Sequence, residues 1–139
     1  MKPRFGYFRS VGLILLTLSL GGCLFEDPVS GCMCTMEFRA YAVTVVDANG
    51  VPADSAIVTV KNLKTGKEYK FEPHSWPFEQ GVYEIMHDGY MKDFTDGPVP
   101  VGVTAKKRNV SATGVWQFAT DDCDCHVWKV SGPDTLVLR

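Results

Sequence analysis

Apolar and polar positions alternate along most of this chain with a period of two, the spacing of a strand that is buried on one face. Over 36–46, Phe38, Ala40, Ala42, Thr44 and Val46 alternate with Arg39, Tyr41, Val43 and Val45. Both sets turn apolar toward the end, as in a strand entering a sandwich interior. Asp47-Ala-Asn49-Gly50 interrupts the run, because asparagine and glycine accept the positive φ of a tight turn. Pro52 delays the next ladder, and Ser55 to Leu63 then sets Ala56, Val58 and Val60 against Ile57, Thr59 and Lys61. Further strand patterns fall at 67–72, 81–87, 99–105, 111–120, 123–130 and 135–138, separated by Gly-, Pro- and Asp-bearing turns. The stretch 90–100 reads as irregular, and no window of ten residues carries a helical stripe. Seven or eight short strands make an all-β, Greek-key sandwich the expected architecture.

One run departs from this alternation. Val11 to Leu20 is continuously apolar and follows Lys2, Arg4 and Arg9, a layout that is too short to span a bilayer and that fits an export signal. It ends in Leu20-Gly21-Gly22-Cys23, which resembles a bacterial lipobox. The resemblance implies cleavage before Cys23, lipid on that cysteine, and a membrane held through several acyl chains. Leu24, where an aspartate would retain a lipoprotein at the inner membrane, leans the expected location toward the outer membrane of the cell envelope. The domain plan is therefore a signal peptide over 1–22, a lipidated short tether over 23–31 and one β-domain over 32–139.

Charge narrows the partners. The signal removes three of the 14 basic residues and none of the 16 acidic ones, leaving 11 against 16 and a formal charge of −5. A nucleic-acid backbone needs clustered Lys and Arg, so that partner is excluded. Lys106-Lys107-Arg108 reads as a solvated turn.

With Cys23 assigned to lipid, Cys32, Cys34, Cys123 and Cys125 remain as two Cys-x-Cys pairs. An even count in an exported chain points to disulfides. Residues two apart on a strand lie roughly 6.5 to 7 Å apart at Cα, the far edge of disulfide reach, so pairing between the two motifs is expected rather than within each. If 31–35 runs antiparallel beside 122–126, Cys32 meets Cys125 and Cys34 meets Cys123. The alternative is a zinc site completed by His126, for which a one-residue spacer is a poor match. Free thiols would instead indicate a redox protein.

No catalytic constellation stands out, and no cofactor is expected. His74, His87 and His126 are scattered. His87-Asp88 supplies half a relay with no nucleophile turn near it, and His126 reads as a strand residue packed beside a disulfide. Asp88, Asp93 and Asp96, or Asp121, Asp122 and Asp124, lack the spacing of a calcium loop. The candidate binding loop is aromatic: Trp76, Phe78, Tyr90 and Phe94 fall in irregular stretches where exposed rings would stack on a carbohydrate or dock an envelope protein. An open sheet edge that accepts a partner's strand is the second interaction mode.

The stretch Val43 to Val60, with Gly50 and Pro52, Ala56, Val58 and Val60, followed by Gly81-Val82-Tyr83, resembles the carboxypeptidase regulatory-like domains. These are transthyretin-like (prealbumin-like) sandwiches of about seven strands. The resemblance covers 41–86 and implies a binding or spacing module without peptidase chemistry. A non-catalytic envelope lipoprotein with a binding or accessory role is the resulting expectation, with a purely structural lipoprotein as the alternative.

Overall fold

A computed structural model of the chain describes residues 31–71 and 79–139. The signal peptide, Cys23, nearly all of the tether, and Trp76 and Phe78 lie outside the described residues. The compact unit Met33–Arg139 contains the β-domain.

Among the described residues eight strands form two sheets. In the smaller, β1 (Ala40–Val46) lies between β4 (Val82–His87), antiparallel to it, and β8 (Thr135–Val137), parallel to it. The larger has the order β3-β2-β5-β6-β7, with β2 at Ile57–Asn62, β3 at Glu68–Tyr69, β5 at Val99–Lys107, β6 at Val110–Thr120 and β7 at Val127–Ser131. Every pairing in that sheet is antiparallel. A 3-10 helix over Asp88–Asp93 follows β4 and overlaps the start of the stretch 90–100 expected to be irregular.

The core is drawn from both sheets. Val43 and Val45, Val60, the β5 series Val99, Val101, Val103 and Ala105, and Trp116 and Phe118 of β6 are all buried. Ile57, Thr59 and Lys61 turn outward. Trp116 is fully buried, and its ring lies close against Gly132. A Cβ on Gly132 would stand 2.2 Å from Trp116 Cδ1, and the backbone there has φ +133, so both space and conformation demand glycine.

The turn residues have specific tasks. Asp47 Oδ1 accepts from the amides of Asn49 and Val51, closing the turn that Gly50 completes at φ +81. Gly81, at φ +74, passes within 2.9 Å (from its would-be Cβ) of Pro52 Cβ and of the Val45 carbonyl. Tyr83 Oη donates to Ala53 O and accepts from Ala56 N, pinning the connection between β1 and β2. The Gly-x-Tyr pattern thus has a mechanical reason: glycine permits the approach, and the tyrosine hydroxyl ties down the chain it reaches.

Candidate functional site

Asp88, the first residue of the 3-10 helix, gathers three segments that are distant in sequence. Its Oδ2 accepts from Arg39 N and from His126 Nδ1, and its Oδ1 from Val127 N, each at 2.8 Å. Its own amide donates to Arg39 O at 3.0 Å, closing a ring with the lead into β1. Burial pushes the Asp88 carboxyl up, but these donors outweigh it and hold it below its ordinary 3.8.

His126 is 5% exposed. An ionised Asp88 only accepts, so the proton of the neutral ring sits on Nδ1. Nε2 is then bare and accepts from Thr35 Oγ1 at 3.0 Å. Beside this chain of groups lies an open cleft of about 300 Å³, lined among others by Met33, Thr35, Arg39, Asp122, His126 and the Cys34–Cys125 disulfide.

Cys34 is bonded to Cys125 with the Cα atoms 5.3 Å apart, and Cys32 and Cys123 are disulfide-bonded as well. Disulfides between the two motifs were expected, but the antiparallel register was not correct. Links from Cys34 to Cys125 and from Thr35 to His126 advance in the same direction along both segments. Neither segment is a strand: residues 31–39 are irregular, and 121–126 is a turn in which Asp121 Oδ1 accepts from Cys125 N and Asp124 takes φ 51. No ladder fixes the direction, so the parallel pairing is accessible. As disulfides the four sulfurs are not thiolates, and the zinc alternative has no thiolate ligands in this form.

The other candidates fall in different places. Phe94 is fully buried against Tyr69 and Phe118, so it offers no binding surface. The spacing could not show this, because the loop around it closes over the end of the core. Tyr90 is half-buried, stacked on His87 and packed against Tyr69 and Phe71; its hydroxyl accepts from Lys70 N and donates to Lys70 O. His87 and Asp88 do not act together: His87 Nδ1 accepts from Gly89 N while Asp88 turns to His126. Asp93 pairs with Lys67 at 2.6 Å, and Asp121 and Asp124 hold their own turn. Among the described residues no group of three His, Cys, Asp or Glu is placed to hold a metal, and no helix is long and apolar enough to cross a membrane.

Carboxylate, imidazole and hydroxyl in this order are the parts of an activated nucleophile. Acyl transfer also needs donors aimed at a developing oxyanion. The amides of Arg39 and Val127 are taken by Asp88 and that of Cys125 by Asp121. The physical reading of the arrangement is a clamp that fastens the lead into β1 to the start of β7.

The same contacts blunt two sheet edges. Val127 donates its outward amide to Asp88 and its carbonyl accepts from Tyr41 Oη, while Tyr90 occupies both backbone groups of Lys70 beside β3. The outer face of the larger sheet is more open. Ile57, Leu63, Val115, Trp128 and Val130 are each about half exposed or more.

Compared with known protein families, with curated proteins and with solved structures, the chain has no significant match in any of the three.

Proposed function

We propose that this chain is a lipoprotein of the cell envelope, anchored through Cys23, whose β-sandwich serves as a non-catalytic binding or accessory module. The observation that carries the reading is the Leu20-Gly21-Gly22-Cys23 motif after a short apolar run. The disulfides at Cys34–Cys125 and at Cys32 and Cys123 agree with it, since such bonds persist in an oxidising compartment. The fold belongs, on this reading, with the transthyretin-like carboxypeptidase regulatory-like sandwiches. Gly81 and Tyr83, which that resemblance singles out, are the residues that shape the β1–β2 connection.

A binding role is favoured over a purely structural one by the outer face of the larger sheet. A structural lipoprotein calls for a uniformly polar surface, whereas here Val115, Trp128 and Val130 stand open on one sheet face. The ligand class is an envelope protein or a carbohydrate.

Metabolic labelling of the full chain in a bacterial host with an alkyne fatty acid tests the anchor. Label on the wild type that is lost in Cys23→Ala supports it, and an unlabelled, soluble protein overturns it. A photoreactive residue at position 115 tests the module: a discrete adduct of fixed mass supports a binding role, and self-adducts alone support the structural alternative.

A further inference from the structure

We propose that the end of the domain carrying the Asp88 clamp rests on the membrane surface, with Met33, Met36 and Trp128 entering a zwitterionic phospholipid interface. The proposal rests on the lipid anchor at Cys23.

Met33 and Met36 are exposed apolar side chains of the irregular lead, 91% and fully exposed, and Trp128 on the outward face of β7 is 53% exposed. They belong to one end of the domain through bonds already described. Met33 adjoins Cys34, which is fixed to Cys125; Trp128 follows Val127, whose amide is held by Asp88; and the Arg39 guanidinium lies over the Trp128 ring at 5.9 Å. The 34–125 disulfide and the Asp88 clamp therefore hold the lead in one place, with Met33 and Arg39 lining the same cleft.

Chain length says what covers them. Met33 is ten residues from Cys23, which limits its distance from the lipidated residue to about 35 Å even at full extension. A tether this short gives an effective concentration on the order of millimolar, so a docking contact too weak to hold a free domain is enough here. The ring matches the depth it would meet, since tryptophan is favoured at the headgroup level of a bilayer.

Charge selects the lipid. Glu37, Asp121, Asp122 and Asp124 surround this end, and Arg39 is the cation set over the ring. The acidic turn is repelled by an anionic surface, so docking favours zwitterionic headgroups.

The test uses the full-length lipidated chain in phosphatidylcholine vesicles, with brominated acyl chains as the quencher. Trp128 emission is isolated by difference from Trp128→Phe, a substitution at an exposed ring that leaves the core intact. Docking predicts flotation with the vesicles, a blue shift and loss of the Trp128 component, and recovery of that component in Met33→Ser/Met36→Ser or when anionic lipid is added. Flotation with an unquenched Trp128 overturns the docking while leaving the anchor standing, and this is also the result if a protein rather than lipid covers the ring. Failure to float overturns the anchor and the docking together.

Discussion

Around Trp116 the two sheets meet through apolar side chains, with Val101, Val103, Phe118 and Leu136 all buried and a glycine opposite the indole. At the Asp88 end the lead 33–39 contributes exposed methionines instead, and is held by a disulfide, a buried carboxylate and an imidazole. The first region is stabilised by area removed from water, which depends little on pH or redox conditions. The second is stabilised by groups that titrate or can be reduced. One sandwich therefore contains a part whose integrity follows the solvent and a part that does not.

The sharpest way to probe the apolar region is Trp116→Ala. Truncating a fully buried indole costs about 3 to 5 kcal/mol, a large share of a small domain's stability. The urea midpoint should fall steeply and by the same amount with or without reductant. Gly132→Ala should destabilise by the same route, since its methyl would enter the Trp116 ring. If either variant loses stability only under reducing conditions, the two regions are not independent.

Replacing all four of Cys32, Cys34, Cys123 and Cys125 by serine is the matching change at the other end. Bridging residues 91 apart restricts the unfolded chain, and its loss typically costs about 2 to 5 kcal/mol. Replacing only Cys34 and Cys125 should cost much less, because the neighbouring bridge still closes nearly the same loop. Native-state hydrogen exchange separates the two parts: in the serine variant, amides of 33–39 and 121–127 should lose protection before those of β5 and β6. Uniform loss would mean that the clamp belongs to the core's cooperative unit.

The apolar region was legible in the sequence because burial imposes a period on it. Val58 and Val60 were separated from Ile57, Thr59 and Lys61 by alternation, whereas in β4 both Ile85 and Met86 are buried, and the strands expected at 67–72 and 123–130 are shorter or later, at Glu68–Tyr69 and Val127–Ser131. The polar region carries no period. Asp88, His126, Thr35 and Arg39 lie as many as 91 positions apart, and each has a local reading that hides the network: a turn carboxylate at a strand end, a strand residue beside a disulfide, a residue next to a cysteine motif, a polar position in a strand. His87-Asp88 attracted attention as adjacent residues, whereas side chains of neighbours on an extended strand point apart. Phe94 failed for a related reason, since composition marks a loop but not whether its rings face in or out. The register of the disulfides depended on supposing that 31–35 runs antiparallel beside 122–126, whereas neither segment is a strand.

Asp88→Asn tests the electrostatic part of the clamp. An amide keeps the shape but accepts less strongly and presents a donor to one of the groups that now donate, so a loss of about 1 to 3 kcal/mol at neutral pH is expected. The pH dependence has a definite sign. The folded carboxyl lies below its ordinary value, so its contribution is fully present above about pH 4 and is lost as pH falls through the depressed folded value. The wild type should therefore destabilise on the acid side more steeply than Asp88→Asn, in urea titrations from pH 6 to pH 2.5. Parallel acid limbs would show that other carboxylates, such as Asp121, account for the slope.

Thr35→Val makes the smallest change, and the most discriminating one. It removes a single hydroxyl that donates to His126 Nε2 and leaves the disulfide, Asp88 and the ring in place. A neutral hydrogen bond at a partly open site contributes about 0.5 to 1.5 kcal/mol, and water in the adjacent cleft can replace the lost donor. The expected result is a midpoint shift near the lower bound, with faster exchange confined to residues 33–39. A shift as large as that of Asp88→Asn would mean that the hydroxyl, the imidazole and the carboxylate act as one coupled unit, which a double substitution of Thr35 and Asp88 would register as non-additive. Additive losses would instead leave Asp88 as the residue that fastens the lead, with Thr35 a terminal contact on the ring it holds.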